Sequence, residues 1–373
     1  MPASRSIANK SQDDPSRFSL DRISELAGDL SSSIDRAIEH ITDVNEQTRL
    51  LSFNAQIEAA RAGGQTGAAF AVVAQAIQQL SERTSGVAAE MRDKTQGAIA
   101  EVNRVSDHMA GTMRGTRLTD LALNNIDLID RNLYERTCDV RWWATDAALV
   151  DALTDPTPDA TRYAGERLGV ILSAYTVYHD LVLTTLDGQV IANGRPDRYA
   201  SQGANVADAA WFRQAVAGRS GDDYGFEAVH ASSLVDRQRV LAYSCTVRER
   251  GHANGKPLGV LGVLFNWDDL AQVIVKRTPL AEDEWPNTRV CIADDHGLIL
   301  ADSQDQLLTA SLEIDARAAY DQKRGFLERR IAGRDTVVAH ALAPGYETYT
   351  TGWHSVIVQD LPDDRAGASR RAA

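Results

Sequence analysis

The chain has 373 residues, of which 43% are hydrophobic and 24% are charged. This length and composition predict more than one folded domain and exclude a disordered or fibrous chain. Acidic residues outnumber basic residues by 52 to 39, and the net charge of −13 disfavours nucleic acid or an anionic membrane surface as a partner.

The cysteines and the first residues indicate the compartment. Cys138, Cys245 and Cys291 are far apart and show neither a disulfide framework nor metal-ligand spacing, so we expect a reducing cytoplasm and no bound metal. Residues 1–17 lack the apolar core of a signal peptide, and no apolar stretch approaches the ~20 residues that cross a bilayer. We expect no transmembrane segment, and disordered tails at 1–17 and 363–373.

Residues 18–115 carry a heptad pattern on two helical arms. Apolar residues recur in alternating steps of three and four, which is typical of a coiled coil. Gly63, Gly64 and Gly67 permit a tight reversal between the arms. We predict an antiparallel coiled-coil hairpin with its tip near 63–67, paired with a second copy in a four-helix bundle. An ordinary bundle without a signalling role has the same periodicity. The apolar ladder consists of Leu20, Ile23, Ala27, Leu30, Ile34, Ala37, Ile41, Val44, Thr48, Leu51 and Ala55 on the first arm, and Phe70, Val73, Ile77, Leu80, Thr84, Val87 and Met91 on the second.

A connecting and stalk helix is predicted within residues 116–155. Gly111 and Gly115 are expected to interrupt the preceding helix. From 118 to 153, apolar residues recur at helical spacing and predict one buried stripe. The prolines within 155–158 are expected to end this helix.

The remaining chain has the short apolar runs of strands and contains an internal repeat. A β-hairpin is predicted at 181–193 around Asp187-Gly188, and the same pattern returns at 289–302. The repeat predicts two α+β modules, 156–280 and 281–362, each with a mostly antiparallel sheet and helices on one side. Further strands are predicted at 239–248, 258–265, 326–331, 336–342 and 353–359, and helices at 209–217 and 268–276.

The hairpin tip resembles the signalling tip of methyl-accepting chemotaxis proteins. The similarity rests on QTRLLSFNAQIEAARAG at 47–63, FAVVA at 70–74 and LSERT at 80–84. Independently of the resemblance, the spacing of Asn54, Glu58 and Arg61 places them on one helix face. The resemblance implies that these three residues form inter-dimer and kinase-array contacts with the chemotaxis histidine kinase CheA and the coupling protein CheW. It assigns Phe70 and Val73 to the coupling-protein face.

The tip also departs from the family pattern. Arg49 stands where the family usually has Asn, and the turn at 64–69 is one residue longer than usual. These departures favour an alternative, in which the chain is a ligand-binding regulatory module uncoupled from the kinase. A second alternative is a chemotaxis-like pathway that does not control motility. The arms lack the paired Glu/Gln pattern of methylation sites, so we expect no adaptation by methylation.

Residues 119–362 resemble the double Cache sensor domain, which consists of two PAS-like modules. The resemblance rests on the arrangement of the modules, on DAAWFRQA at 208–215 and on LGVLGV at 258–263. It implies a small-molecule pocket in the first module, with aromatic walls and polar groups at the mouth. Asp223 is one mouth residue, although each aromatic side chain has an alternative role in the core. The predicted ligand-binding residues are Trp211, Phe212, Tyr224, Phe226, His230 and Tyr243.

The resemblance also constrains the ligand. Cache sensors of free amino acids use an Arg and an Asp whose positions correspond here to Ala209 and Leu264. Both charges are missing, so a free amino acid is disfavoured, and amines, purines and small organic acids remain open. No phosphate loop, nucleophile elbow or metalloprotease motif occurs, so we expect a signal transducer that is neither an enzyme nor cofactor-dependent.

Overall fold

The structure is a computed structural model that describes residues 20–308, 322–347 and 349–362. It divides into two compact units, Met1–Arg114 and Gly115–Ala373. The predicted disordered segments, 1–17 and 363–373, lie outside the described residues. No described helix combines the length and the apolar character needed to cross a membrane.

The first unit contains the predicted helical hairpin. Helix α1 spans Leu20–Ala62, and helix α2 begins at Gly64 after a one-residue break. Gly63 and Gly64 have φ angles of 59° and 67°, which side chains other than glycine rarely adopt. The Gly67 N–H donates to the Gly63 carbonyl oxygen at 3.2 Å and closes the turn. This turn brings the second arm back along the first, and the hairpin prediction is confirmed.

The predicted interruption at Gly111 and Gly115 is wrong. Helix α2 continues without a break over Gly64–Trp143, and only then does a short helix α3, Ala147–Thr154, begin. Gly115 serves packing instead, because a Cβ there would lie 2.3 Å from the Phe326 ring. The prediction of a buried stripe is confirmed. The following residues of the stripe have no solvent-exposed surface: Leu118, Ala122, Ile126, Ile129, Leu133 and Val140.

The helix predicted at 118–153 is two helices, and a further helix was missed. The Asp146 carboxylate accepts a hydrogen bond from the Ala148 N–H at 2.9 Å and caps the start of α3. Helix α4 follows at Pro158–Ala174, with Thr157 as its N-cap. The prolines were expected only to end a helix, whereas Pro158 also starts one, since the first helical turn needs no N–H from its first residue.

The two modules of the second unit contain sheets of the same topology. Each sheet is antiparallel and five-stranded, with the orders β2-β1-β5-β4-β3 and β7-β6-β10-β9-β8. Leu183 pairs with Ala192 in the first sheet, and Ile292 pairs with Ala301 at the corresponding point of the second. The internal repeat and the α+β fold are therefore confirmed. The strands are β1 Tyr178–Thr185, β2 Val190–Asn193, β3 Gly225–Ala231, β4 Arg239–Arg248, β5 Pro257–Asn266, β6 Thr288–Ala293, β7 Ile299–Asp302, β8 Arg324–Ile331, β9 Arg334–Leu342 and β10 His354–Asp360.

Helices cover both faces of the first sheet, which corrects the expectation of helices on one side. The stripe of α2 and the buried residues of α4 share one core cluster with one face of this sheet. Helix α5, Ala210–Ala217, packs on the opposite face. Two central strands, β1 and β5, are buried along almost their whole length, and an apolar strand of this kind requires cover on both sides. A helical turn at Asp268–Gln272 and the short helix α6, Val273–Lys276, follow β5.

Candidate functional site

The two arms of the hairpin meet through a seam of small and polar residues. Ser52 donates from its hydroxyl to the Ala74 carbonyl oxygen at 2.7 Å. The Asn45 amide donates to the Ser81 carbonyl oxygen at 2.7 Å and to the Ser85 hydroxyl at 2.6 Å. These bonds pair later positions of one arm with earlier positions of the other, so they fix an antiparallel register. The buried seam comprises Ile38, Asn45, Ser52 and Ala59 on α1, and Gly67, Ala74, Ser81 and Ala88 on α2.

The predicted apolar ladder lies largely outside this seam. Val44 and Leu51 on α1 remain 63% and 68% exposed, and Leu80 and Val87 on α2 remain 63% and 64% exposed. The chain therefore carries two heptad series, one buried between its own arms and one presented at the surface. The apolar series is evident in the sequence, whereas the seam is not, because small and polar residues give a weak periodic signal.

The predicted signalling residues are all accessible near the turn. Asn54, Glu58 and Arg61 are exposed, and Glu58 lies 3.0 Å from Arg61 in an ion pair between side chains that are each more than two-thirds exposed. On the other arm, Phe70 and Val73 are 60% and 56% exposed. Leu50, Phe53, Ile57 and Val72 are further exposed apolar residues around the same tip.

In the first module, Trp211 and Phe212 lie together on the α5 face of the sheet. Trp211 is 2% exposed, and its indole packs over Gly262, where a Cβ would be 2.8 Å from the ring. The indole and the Phe212 ring meet edge to face, with their centroids 6.0 Å apart. The same cluster contains Val182, Tyr199, Leu234, Val235, Val240 and Val260.

Two polar groups from β3 lie beside this aromatic pair. The Glu227 carboxylate accepts a hydrogen bond from the backbone N–H of Trp211 at 3.2 Å, at the start of α5. His230 lies 3.9 Å from Glu227, and its Nδ1 is 2.9 Å from the Ala228 carbonyl oxygen. A carboxylate and an imidazole therefore stand at one end of the Trp211 cluster. Glu227 was missed, because nothing in the sequence relates it to α5.

The prediction of a single site walled by all the predicted residues is wrong. Trp211 belongs to one core cluster, and the other cluster contains Tyr243, with Tyr224 and Phe226 packed against it. That other cluster also contains residues of α2. The Tyr243 and Tyr349 hydroxyls are 2.9 Å apart, and burial raises the pKa of Tyr243 well above its ordinary value. Successive strand residues point to opposite faces, so Tyr243 and its neighbour Ala242 belong to different clusters.

The remaining predicted positions have local roles. Asp223 accepts hydrogen bonds from the Ser220 and Arg219 N–H groups, which hold its pKa below the usual range. It stabilises a turn and does not face Trp211. Leu264 is fully buried in the Trp211 cluster, and Ala209 packs against the same cluster. The two positions that carry charges in amino-acid sensors are thus apolar and share the Trp211 face.

A buried carboxylate on β1 was missed by sequence analysis. Asp180 is completely buried, accepts hydrogen bonds from the backbone N–H groups of Gly194 and Arg195, and binds the Asn193 amide at 2.7 Å. Burial raises its pKa, although these hydrogen bonds oppose the rise. Asp180 pairs with Leu264 in the sheet, next to the Trp211 cluster. A lone Asp within an apolar strand was the available signal.

Two family profiles match this sequence. The Cache domain profile covers residues 68–366, which is more than half of the chain. The chain belongs to the Cache domain family. The profile of the methyl-accepting chemotaxis protein (MCP) signalling domain covers residues 4–131, so this Cache protein also carries the MCP signalling hairpin. The two matches overlap over residues 68–131, along α2.

Curated relatives match short stretches of this Cache protein. The biofilm dispersion protein BdlA of Pseudomonas aeruginosa is 47% identical over 101 residues, which cover 26% of this chain and 24% of BdlA. The chemotaxis protein McpP of Pseudomonas putida is 35% identical over 118 residues, 30% of this chain and 21% of McpP. The transducer Htr6 of Halobacterium salinarum is 45% identical over 80 residues, 21% of this chain and 10% of Htr6. Each match spans less than a quarter of the relative.

Solved sensor domains resemble this chain at lower sequence identity than the curated relatives do. The sensory domain of the Campylobacter jejuni chemoreceptor Tlp3 has a TM-score of 0.49 and 19% identity, and covers 66% of this chain and 92% of that chain. The Pseudomonas fluorescens chemoreceptor CtaA, in complex with L-leucine, has a TM-score of 0.46 and 16% identity, with 68% and 96% coverage. Similarity at this level says nothing about the ligand of the present chain.

Proposed function

We propose that this protein is a chemoreceptor-type signal transducer. Its Cache part senses a small molecule, and its hairpin tip modulates the chemotaxis histidine kinase CheA together with the coupling protein CheW. The observation that carries the proposal is the joint presence of an MCP signalling hairpin and a Cache domain in one chain. The protein acts through binding and not through catalysis. Its three free cysteines, two of them buried, support a cytoplasmic location.

The surface of the tip supports docking of a protein partner. Phe53 and Phe70 are 61% and 60% exposed on the two arms, close to the turn at Gly63. Exposed apolar residues that cluster with charged groups are typical of protein interaction sites. The exposed Glu58–Arg61 pair supplies charges beside this apolar surface, where they can select partners.

The exposed ladder supports a homodimer. Leu51 and Leu80 belong to the apolar series that the chain leaves uncovered on its two arms. A second copy covers this series if both hairpins join in a four-helix bundle, whose core is built from such heptad positions. We propose this homodimer as the signalling form, and dimers can join into larger receptor arrays through their tips.

The Trp211 face of the first module is the proposed ligand site. It combines an aromatic pair with Glu227 and His230, a mixture of apolar area and a few polar groups that is typical of small-molecule sites. Ala209 and Leu264 supply no charge on this face, which argues against a free amino acid as ligand. Amines, purines and small organic acids remain the candidate classes.

Two observations favour related but different outputs. Arg49 and the turn at 64–69 depart from the usual tip sequence, which favours a regulatory module that no longer couples to the kinase. A relative named for biofilm dispersion is 47% identical over 101 residues, which favours a chemotaxis-like pathway that does not control motility. A kinase assay separates the first alternative from the main proposal, whereas the second requires a readout of cell behaviour.

Replacing Glu58 by alanine should remove the effect of the protein on kinase activity. The full chain is reconstituted with CheA and CheW, and kinase autophosphorylation is compared with a sample lacking the chain. Glu101→Ala is the matched control, because Glu101 forms an equally exposed ion pair with Arg104 at the same helical spacing, away from the tip. We expect wild type and Glu101→Ala to change kinase activity severalfold and Glu58→Ala to have no effect. If wild type matches the sample without the chain while it remains folded, the uncoupled module replaces the main proposal.

Leu51→Glu should dissociate the homodimer, because it places a charge in the proposed apolar interface. Leu50→Glu is the matched control, since Leu50 is adjacent, 61% exposed and outside the ladder. Sedimentation equilibrium should give a dimer for wild type and Leu50→Glu, and a monomer for Leu51→Glu. A dimer that survives Leu51→Glu would contradict the assignment of the ladder to the interface.

Trp211→Phe should abolish ligand-induced stabilisation, because the smaller ring changes the proposed site while it keeps most of the apolar volume. Melting temperatures are measured for wild type against a panel of amines, purines and organic acids. Phe226→Leu is the control, because Phe226 packs on the other core cluster. A compound that stabilises wild type should also stabilise Phe226→Leu but not Trp211→Phe. If the compound instead stabilises Trp211→Phe but not Phe226→Leu, the ligand site lies on the face of the sheet that carries Tyr243.

A further inference from the structure

A cavity lies in the second unit, away from the Trp211 cluster. It has a volume of about 290 Å³ and is formed where the C-terminal end of α2 lies beside the end of β4. Cys138, Arg141 and Trp142 line it from α2, and Thr246 and Arg248 line it from β4. None of these residues belongs to the Trp211 cluster. The volume is at the lower end of the range for ligand pockets, so it suits a small metabolite.

Arg248 is buried in this cavity and donates its hydrogen bonds to neutral groups. It is 6% exposed and donates to the Thr246 hydroxyl at 2.8 Å and to the Gly255 and Gly218 carbonyl oxygens, each at 3.1 Å. All three acceptors are neutral. A guanidinium has five N–H donors, so hydrogen-bonding capacity remains after these contacts. The exposed carboxylate of Asp223 is near enough for Arg248 to lower its pKa, but no described carboxylate forms an ion pair with Arg248. Burial of a charge without such a pair is costly, which makes this arrangement unusual for a purely structural arginine.

Arg141 brings a second positive charge to the same cavity. Its Nε donates to the Thr137 carbonyl oxygen at 2.8 Å, and one terminal nitrogen lies 3.5 Å from the Cys138 sulfur. Within the described residues, neither Arg141 nor Arg248 forms an ion pair with a carboxylate. By contrast, Arg289, another partly buried arginine of this unit, binds Asp302 at 2.8 Å. The acidic residue of the cavity, Asp222, is exposed.

Both arginines act electrostatically on a thiol beside the cavity. Burial raises the pKa of the neighbouring Cys245 thiol to about 11; Arg248 and Arg141 oppose this rise, and the exposed carboxylates of Asp222 and Asp223 add to it more weakly. Two guanidinium groups therefore act on one point in a chain whose net charge is −13. A bound carboxylate or phosphate would accept charge-assisted, bidentate hydrogen bonds from such groups, which form no ion pair within the described residues.

We propose that this cavity binds a small anionic metabolite, whose carboxylate or phosphate group lies between Arg141 and Arg248. Because Arg141 belongs to α2 and Arg248 to β4, the bound anion joins the helix to the sheet. The ligand therefore has a direct contact with the helix that continues into the signalling hairpin. Binding does not depend on the proposed function, whereas its use as a signal does.

The test uses the full chain with inorganic phosphate and malonate as probes, and malonamide as the neutral analogue of malonate. Titration calorimetry measures binding, and mass spectrometry follows alkylation of Cys138 by uncharged iodoacetamide. Cys138 is a suitable reporter because it lines the cavity, whereas Cys245 and Cys291 are buried. We expect at least one anion to bind and to slow Cys138 alkylation severalfold, and malonamide to do neither. The anion that binds distinguishes a carboxylate ligand from a phosphate ligand.

Arg141→Gln should weaken anion binding about tenfold, since a hydrogen bond to a charged group is lost. This variant decides the test, because Arg141 lies on a helix surface and its replacement should not disturb folding. Arg248→Gln is the second variant. It also removes the hydrogen bonds by which Arg248 holds the loops at Gly218 and Gly255, so it can lower stability as well as anion binding. Arg277→Gln, at an exposed site outside the cavity, should bind as wild type does.

Three results would each overturn the proposal. In the first, neither anion binds or protects Cys138. In the second, Arg141→Gln binds as tightly as Arg277→Gln. In the third, malonamide protects Cys138 as well as malonate does. None of these results affects the comparison of Glu58→Ala with Glu101→Ala, so failure of this site and failure of the proposed function are separate outcomes.

Discussion

The rest of the structure depends on the uninterrupted backbone of α2. Its first part supplies one arm of the hairpin, and its last part supplies the buried stripe of the second unit, with no break between Gly64 and Trp143. Successive residues of an α-helix are related by a constant rotation and rise. Under the proposed function, a change that begins where α2 packs on the sheets is transmitted along this helix. The cavity at Arg141 lies at the C-terminal end of this path.

The hairpin illustrates how one sequence period can serve two interfaces. Small and polar residues, with Ser52 and Ser81 among them, allow the arms to approach and join through hydrogen bonds. The apolar ladder, with Leu51 and Leu80 among its members, stays at the surface. A hairpin that buried its ladder internally could not present this series of apolar residues to a second copy. The division of the two series is therefore the physical basis for the proposed dimer.

Much of the architecture could be predicted from local patterns. The Asp187-Gly188 turn between two apolar runs gave the first β-hairpin, and its recurrence gave the second module. Errors arose where one residue type has two uses. Gly115 was interpreted as a break although it makes room for Phe326, and Pro158 was interpreted only as an end although it also begins α4.

The candidate site was harder to predict than the fold. The tip residues follow one another along a single helix, so their common face can be read from spacing alone. Most aromatic residues of the predicted site come from α5, β3 and β4. Tyr243 and Trp211 pack on opposite faces of the sheet, and this becomes evident only when the strands are paired. Arg141 and Arg248 are more than a hundred positions apart, and no sequence signal distinguishes them from arginines that have a carboxylate partner.

The most direct test of the account changes the helical phase of α2 between the sensor and the tip. One alanine, or a full heptad, is inserted between Met113 and Arg114, and each variant is compared with wild type in the reconstituted kinase assay. One residue alters the phase by about 100°, whereas a heptad alters it by only about 20°. We predict a severalfold change in kinase activity for the single insertion and nearly unchanged activity for the heptad. Wild-type activity in both variants would contradict control of the tip through α2.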